Sequence, residues 1–174
     1  MGLEVGDPMP GPRRSKQLIT AARRELKSAA SLDEAVARLA RILRTDFPGV
    51  VRVSVRVLLP DGDVQIAGLW TEGPTRIPKG LIVRPLATSL PELRRGQAIV
   101  QRLNSRNPPL EDVLKEEGVW SFLSMPLRAR GELVAILSIS STTIDEFDPS
   151  DATFFTQFGG ALEWRLIELI DEAR

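Results

Sequence analysis

The spacing of apolar residues predicts two helices at the start of the chain. A stripe at helical spacing indicates a first helix over residues 14–29, and its members are Leu18, Ala22, Leu26 and Ala29. Ser31 and Glu34 then stand at capping-box spacing, in which each side chain can bond a backbone N–H of the other's turn. We therefore expect a second helix from residue 32 to about Asp46.

Apolar and polar residues alternate over most of residues 50–59, which predicts a strand there. Because side chains on a strand point alternately to opposite faces, Arg52, Ser54 and Arg56 should share one face. The valines that should share the other face are Val51, Val53, Val55 and Val57. A Pro-Asp-Gly turn at residues 60–62 leads into a returning strand that ends at Trp70.

The remaining segments complete an α+β pattern. Residues 71–118 contain short helical and extended pieces, a second hairpin turns at residues 129–132, and a long helix is predicted over residues 150–173. Hairpins imply antiparallel strands, and helices from both ends of the chain can cover one face of such a sheet. Residues 71–118 are then left to cover the other face.

Composition places these elements in one soluble domain. The chain has 174 residues, 43% of them hydrophobic, which suits a single domain over residues 14–174 with its core at 31–149. Residues 1–13 are rich in Gly and Pro and are predicted to be a disordered tail. A net charge of +0 argues against nucleic-acid binding, and the absence of a long apolar run argues against membrane insertion. A cytoplasmic location is expected.

The absence of Cys and His excludes several kinds of chemistry. Without Cys there are no disulfides, thiol nucleophiles or thiolate metal ligands. Without His, the commonest general base and the commonest metal ligand are missing. No nucleophile and base stand at a spacing that indicates catalysis, so we expect that the protein is not an enzyme.

The last helix has more apolar surface than one sheet face covers. Apolar residues surround most of its circumference, which indicates either deep burial within one chain or packing on both the sheet and a partner helix. Residues 1–58 are net positive and residues 141–174 are net negative, so the terminal helices could meet within a subunit or across a homodimer. The residues assigned to a dimer interface are Leu18, Leu26, Phe154, Trp164 and Ile167.

An ordered set of motifs occupies the last third of the chain: GVWSFLSMPLRARGELVAILSISS, then FDPSD, then FFTQFGGALEWRL. It combines a Gly before a strand ending in Pro-Leu, a hairpin with Gly and Glu, a Phe with a spaced Asp, and an amphipathic helix. From about Ser31 onward the sequence resembles the GAF domain family, departing from its pattern at Ala135, where the family often has Gly.

The resemblance implies a GAF-like (PAS/profilin-like) fold. A central six-stranded antiparallel sheet would carry the terminal helices on one face and a lidded pocket for a small molecule on the other. Such domains are usually regulatory parts of signalling proteins, such as sensor histidine kinases, and often dimerise through their terminal helices.

The resemblance also limits the ligand. Covalently attached bilins and the free methionine-sulfoxide reductase members need Cys, and haem-binding members usually need His, so these are argued against here. The cyclic-nucleotide pattern is incomplete, since Phe147 and Asp151 keep its spacing but Ala152 replaces its Glu. The ligand and any cofactor are therefore unknown from the sequence.

Position alone indicates candidate ligand-binding residues. Two arginines on one strand face can hold a carboxylate or phosphate, although they can equally reach solvent at a sheet edge. A serine in a core strand can bind a ligand or simply bond a neighbouring backbone group, and each tryptophan can stack on a ligand or close the core. The candidates are Arg52, Ser54, Arg56, Trp70, Trp120, Ser121 and Ser124.

These features favour a non-catalytic sensory domain that binds a small molecule and signals through dimerising terminal helices. The alternative is a dimerisation scaffold whose pocket is filled or vestigial.

Overall fold

The computed structural model of the protein describes residues 12–84, 90–102 and 109–174. The predicted tail at residues 1–13 lies outside the described residues except for its last two, which already belong to the first helix.

Helices stand at both ends of the described chain, with strands and short helices between them. The helices are α1 (Pro12–Lys27), α2 (Leu32–Asp46), α3 (Leu90–Arg94), α4 (Pro109–Glu116) and α5 (Ala152–Glu172), the last entered through a 3-10 turn at Pro149–Asp151. The strands are β1 (Val50–Leu58), β2 (Val64–Thr71), β3 (Ile82–Val83), β4 (Ile99–Arg102), β5 (Ser121–Ala129) and β6 (Glu132–Ser141). None of these described helices is long and apolar enough to cross a membrane.

The strands form a six-stranded sheet in the order β3-β2-β1-β6-β5-β4. All of its neighbouring strands are antiparallel. The predicted α+β class and sheet are therefore confirmed. The two hairpins, β1–β2 and β5–β6, meet through β1 and β6, which makes these two strands the centre of the sheet.

Ser31 begins α2 as its sequence spacing predicts. The backbone N–H of Glu34 donates to Ser31 Oγ at 3.1 Å, and the Glu34 carboxylate accepts from the N–H of Ala30 at 2.8 Å. The hydrogen bond from Ala30, followed by one from the Arg38 side chain, holds the pKa of Glu34 below its ordinary value. This cap fixes where α2 starts and so how it crosses the sheet.

The main core lies on one face of the sheet, here called the helix face. Apolar side chains of α1, α2 and α5 pack there against β1, β5 and β6. Three aromatic rings fill one end of it, with centroid distances of 5.4 Å between Phe47 and Phe147 and 5.6 Å between Phe147 and Phe155. Full burial of such a side chain stabilises the fold by about 1.5–3 kcal/mol.

The predicted valine stripe of β1 is correct at three positions and wrong at Val51. Val53, Val55 and Val57 belong to the helix-face core together with Phe155, whereas Val51 packs in a smaller cluster on the opposite face. The pairing of β1 with β6 shifts register between Val50 and Arg52, so one residue is inserted there. This β-bulge breaks the alternation that the sequence pattern assumes.

The other face of the sheet carries two small apolar clusters. One contains Ile66, Ile77, Leu114 and Val119, and the other contains Val64, Leu93, Leu133 and Ile136. Leu93 of α3 and Leu114 of α4 come from the segment between the hairpins, as does Ile77. The segment therefore covers this face, as predicted, and also supplies both edge strands, β3 and β4.

Candidate functional site

Three serines lie side by side across the centre of the sheet. In the strand pairing, Ser138 of β6 stands opposite Ser54 of β1 on one side and Ser124 of β5 on the other. All three are buried. We call them the serine row, and the face that carries them, opposite the helices, the polar face.

Arg56 lies over the serine row. Its Nη2 donates to Ser138 Oγ at 2.7 Å, with a longer contact of 3.4 Å to Ser124 Oγ. Its Cζ lies 5.4 Å from the ring centroid of Phe122 on β5. The guanidinium is therefore held across three strands by neutral hydroxyls and an aromatic ring.

The charge of Arg56 is not balanced by any described carboxylate. None of the ion pairs among the described residues includes Arg56. Its Nε is buried without a hydrogen-bond partner, and so is Ser140 Oγ, on the same face of β6 as Ser138. Burial, and secondarily the charge of Arg52, lowers the pKa of Arg56 to about 10. Polar atoms buried without partners are uncommon in folded proteins, and here two of them belong to one face.

Arg52 serves a different purpose on the same face. Its Nη1 donates to Thr75 Oγ1 at 3.0 Å and its Nη2 donates to the carbonyl of Ile77 at 2.8 Å. Thr75 Oγ1 donates in turn to the carboxylate of Glu117 at 2.9 Å. Burial lowers the pKa of Arg52, and the charge of Glu117 opposes that effect. Arg52 thus ties residues 75–77 to the sheet, and its charge has a carboxylate nearby.

Ser121 and Trp70 lie away from this group, contrary to the sequence-based assignment. Ser121 Oγ donates to the carbonyl of Thr143 at 2.8 Å, and alternation along β5 places Ser121 on the helix face with Leu123. Trp70 pairs with Val53, also on the helix face, and its ring lies 5.6 Å from Cζ of Arg44.

A second β-bulge explains the position of Trp70. On β2, Ile66 pairs with Arg56 while Gly68 pairs with Val55, so Ala67 is an inserted residue. Strict alternation would keep Trp70 on the face of Ile66, but the insertion moves it to the opposite one. Gly68 then faces α2 so closely that a Cβ there would lie 2.6 Å from Cγ of Leu32.

Trp120 stands at the surface beside the polar face. It directly precedes β5, its backbone N–H donates to the carbonyl of Ser141 at 2.9 Å, and the residue is 43% exposed. Of the seven ligand-site candidates, the structure thus brings four together on the polar face: Arg52, Ser54, Arg56 and Ser124. Ser138 and Ser140 lie on the same face but are not among the sequence-based candidates, although their spacing of two residues in a strand indicates that they share a face.

The five residues assigned to a dimer interface differ in exposure. Leu18 and Leu26 are buried in the chain's own core, so their side chains are already covered. Phe154 and Ile167 are partly buried against the same core. Trp164 is 59% exposed and lines a groove between α1 and α5 together with Arg23, Arg24 and Lys27.

Metal ligands are not gathered in the part of the chain that the structure describes. No group of three or more His, Cys, Asp or Glu residues is placed there to hold a metal ion. The polar face offers guanidinium and hydroxyl groups, which suit anions rather than cations.

A family model described as GAF domain matches residues 29–166. No curated protein matches the sequence. Among solved structures, the chromophore-binding domain of a bacteriophytochrome from R. palustris matches 97% of the chain, with a TM-score of 0.67 and 15% identity, and the chain spans only 65% of that protein. The GAF domain of a two-component sensor histidine kinase from Bacillus halodurans matches 84% of the chain and is itself fully covered, with a TM-score of 0.62 and 19% identity.

Free methionine-R-sulfoxide reductase from Neisseria meningitidis is a further structural neighbour. It has a TM-score of 0.69 at 14% identity, and the match covers 98% of both chains. We expected from the missing Cys and His that the protein is not an enzyme. That expectation is contradicted, because this fold, over its full length, is the fold of an enzyme. At such low identity the likeness shows the fold alone.

Proposed function

Because the chain belongs to the GAF domain family, we propose that it is a regulatory domain that binds a small molecule on the polar face of its sheet, next to Arg56. One observation carries the proposal: Arg56 Nε and Ser140 Oγ are buried on that face without hydrogen-bond partners. Leaving such atoms unpaired costs stability, and a bound molecule would supply the missing partners.

We propose that strand β5 transmits binding to the last helix. Ser124 faces the site, and the next residue, Met125, faces α5. Contact there is close, since a Cβ on Gly159 would lie 3.0 Å from Cβ of Met125. A ligand that prefers one position of β5 would therefore bias the position of α5, which is a shift in population between two arrangements.

We propose that the output passes through a homodimer of the terminal helices. Trp164 supports this, since it is the exposed member of the predicted interface and lies in a groove lined by cationic side chains of α1. Acidic side chains of α5 from a second copy would complement that groove. Trp164→Glu should lower self-association in sedimentation experiments. Self-association of the variant equal to that of the wild type, or a monomeric wild type, would reject the dimer.

We also propose that this domain belongs to a signal-transduction protein of the sensor histidine kinase type and lies in the cytoplasm. This assignment is supported by the family and by the likeness to the domain from Bacillus halodurans.

A thermal-shift screen over metabolites and nucleotides tests the proposed binding. A compound present at a hundred times its Kd stabilises the folded state by about 2.7 kcal/mol, which raises Tm by several degrees. Ser138→Val should abolish the shift of any compound that binds the polar face, whereas Thr20→Val, on the exposed side of α1, should not. A screen that leaves Tm unchanged throughout would favour a scaffold that only associates.

A further inference from the structure

We propose that the small molecule bound on the polar face carries a carboxylate or phosphate group, and that Arg56 with the serine hydroxyls around it receives that anion. The inference rests on the proposed function, because it names the chemical class of ligand for the same site. It adds that neutral molecules of the same shape are rejected.

The charges on the polar face favour an anionic ligand. Among the described residues, Arg52 and Arg56 bring two cations, and they lie near enough for their charges to act on each other. The charge of Glu117 acts on Arg52, and its carboxylate also accepts from Thr75 Oγ1 and from the backbone N–H of Arg76. The charge of Arg52 is thereby offset, and that of Arg56 is left for a bound anion.

The donors on the polar face match an oxyanion. A guanidinium presents its N–H groups in a fixed fork that fits two oxygens of a carboxylate or phosphate. Arg56 uses Nη2 on the serine row, while its Nε–H has no partner. Ser140 Oγ is likewise unpaired, and a hydroxyl can donate to an anion oxygen. Neither a cation nor an apolar molecule would use these donors.

A purely structural role for Arg56 fits the observations less well. An arginine that stabilises a fold normally has a carboxylate or several carbonyl groups as acceptors, as the partly buried Arg165 does with the carbonyls of Leu26 and Ala29. The described acceptors of Arg56 are two serine hydroxyls, one of them at 3.4 Å. Hydroxyls are weak compensation for a charge that is partly removed from water.

Matched anionic and neutral probes test the inference on the full chain. Benzoate and benzamide have the same shape and differ in charge, and inorganic phosphate adds a second oxyanion. The Nε–H signal of Arg56 and the backbone amides of Ser138 and Ser140 are followed by NMR during each titration. Benzoate or phosphate at millimolar concentration should shift these signals, and benzamide should not.

Two arginine variants give the controls. Arg56→Met should lower the affinity for the anion that binds by about tenfold or more, because it removes a charge-assisted hydrogen bond. Arg76→Met removes an exposed arginine that pairs with Glu116 and should leave binding unchanged. Benzoate or phosphate binding that survives Arg56→Met would overturn the role of Arg56. If Arg56→Met does not fold, the wild-type comparison of benzoate with benzamide still decides.

The outcomes separate this inference from the proposed function. If benzamide, or neutral compounds in the thermal-shift screen, bind at these signals and the anions do not, the anion class is wrong and small-molecule binding on the polar face stands. If neither anionic nor neutral compounds bind, both proposals fail.

Discussion

Arg56 Nη2 donates to Ser138 Oγ at 2.7 Å, so a cation of β1 is held by a neutral hydroxyl of β6. The contact gives one N–H donor of the guanidinium an acceptor, but the neutral hydroxyl does not compensate the positive charge. We expect that folding does not require this arrangement, because an apolar side chain would fill the same space without removing a cation from water. Residues of this kind are typical of sites where function is retained at some cost in stability.

Arg56→Met should therefore leave the protein as stable as the wild type or make it more stable, by up to about 4 kcal/mol. Urea unfolding at neutral pH measures the difference. The sign agrees with the lowered pKa of about 10, since a cation whose pKa falls on folding costs stability at every pH below that value. A clear loss of stability would show that Arg56 supports the fold itself.

Arg52→Met should have the opposite effect. Arg52 donates to Thr75 and to the carbonyl of Ile77, and hydrogen bonds from a charged group contribute about 1.5–3 kcal/mol each. We expect a loss of stability and faster amide hydrogen exchange in residues 75–80, measured by mass spectrometry. Arg95→Met is the matched control, because it removes an exposed ion pair with Glu92 outside the monitored residues, and it should change stability by less than about 1 kcal/mol. Equal amide hydrogen exchange in residues 75–80 of both variants would contradict the proposal that Arg52 holds residues 75–77 against the sheet.

Gly159 and Gly160 form a matched pair in α5. Alanine is favoured over glycine in a helix by about 1 kcal/mol. A Cβ on Gly160 meets nothing within 4 Å, so Gly160→Ala should stabilise the protein by about that amount. A Cβ on Gly159 would lie 3.0 Å from Cβ of Met125, so Gly159→Ala should gain less or lose stability. Thermal unfolding measures both, and equal gains would mean that α5 is not packed this closely on β5.

Glu34 should make the stability depend on pH in the acid range. Its pKa is lowered in the folded state below the ordinary 4.5, so its contribution is complete above that pH and is lost as the pH falls through the folded value. Glu34→Gln keeps a capping amide but has no charge. The stability difference between wild type and Glu34→Gln should therefore shrink on acidification, as measured by urea unfolding at several pH values. A difference that is constant with pH would contradict the role of the charge.

The fold could be predicted from the sequence because its signals are local. The capping serine Ser31, the helical stripe of α1 and the Pro-Asp-Gly turn each specify a structure within a few residues. Antiparallel hairpins follow from short turns, and the motifs from Gly118 onward match those of the family. These signals do not depend on how distant strands meet.

The site was predicted only in part because it depends on register. Insertions at Val51 and Ala67 change which face the neighbouring residues occupy, and neither is marked by a Gly or Pro at the inserted position. The insertion at Ala67 places Trp70 against the core of the helix face, so of its two possible roles the structure shows packing on the core. The spacing of Ser138 and Ser140 places both on one face of β6, but only the pairing of β6 with β1 shows that this is the face of Ser54.

The expectation about catalysis failed for another reason. It was an argument from missing residue types, whereas the likeness to free methionine-R-sulfoxide reductase concerns the backbone. One fold supports several activities, and the side chains on a face determine which of them is present.

The two faces of β1 have different roles. Val53, Val55 and Val57 are committed to holding three helices, while Arg52, Ser54 and Arg56 contribute little to that task. Under the proposed function, substitutions among the second set would alter which molecule is recognised while the helix-face core is unchanged. A lineage of such domains can therefore acquire new specificities one side chain at a time, on a scaffold whose folding is secured from the reverse side of the same strands.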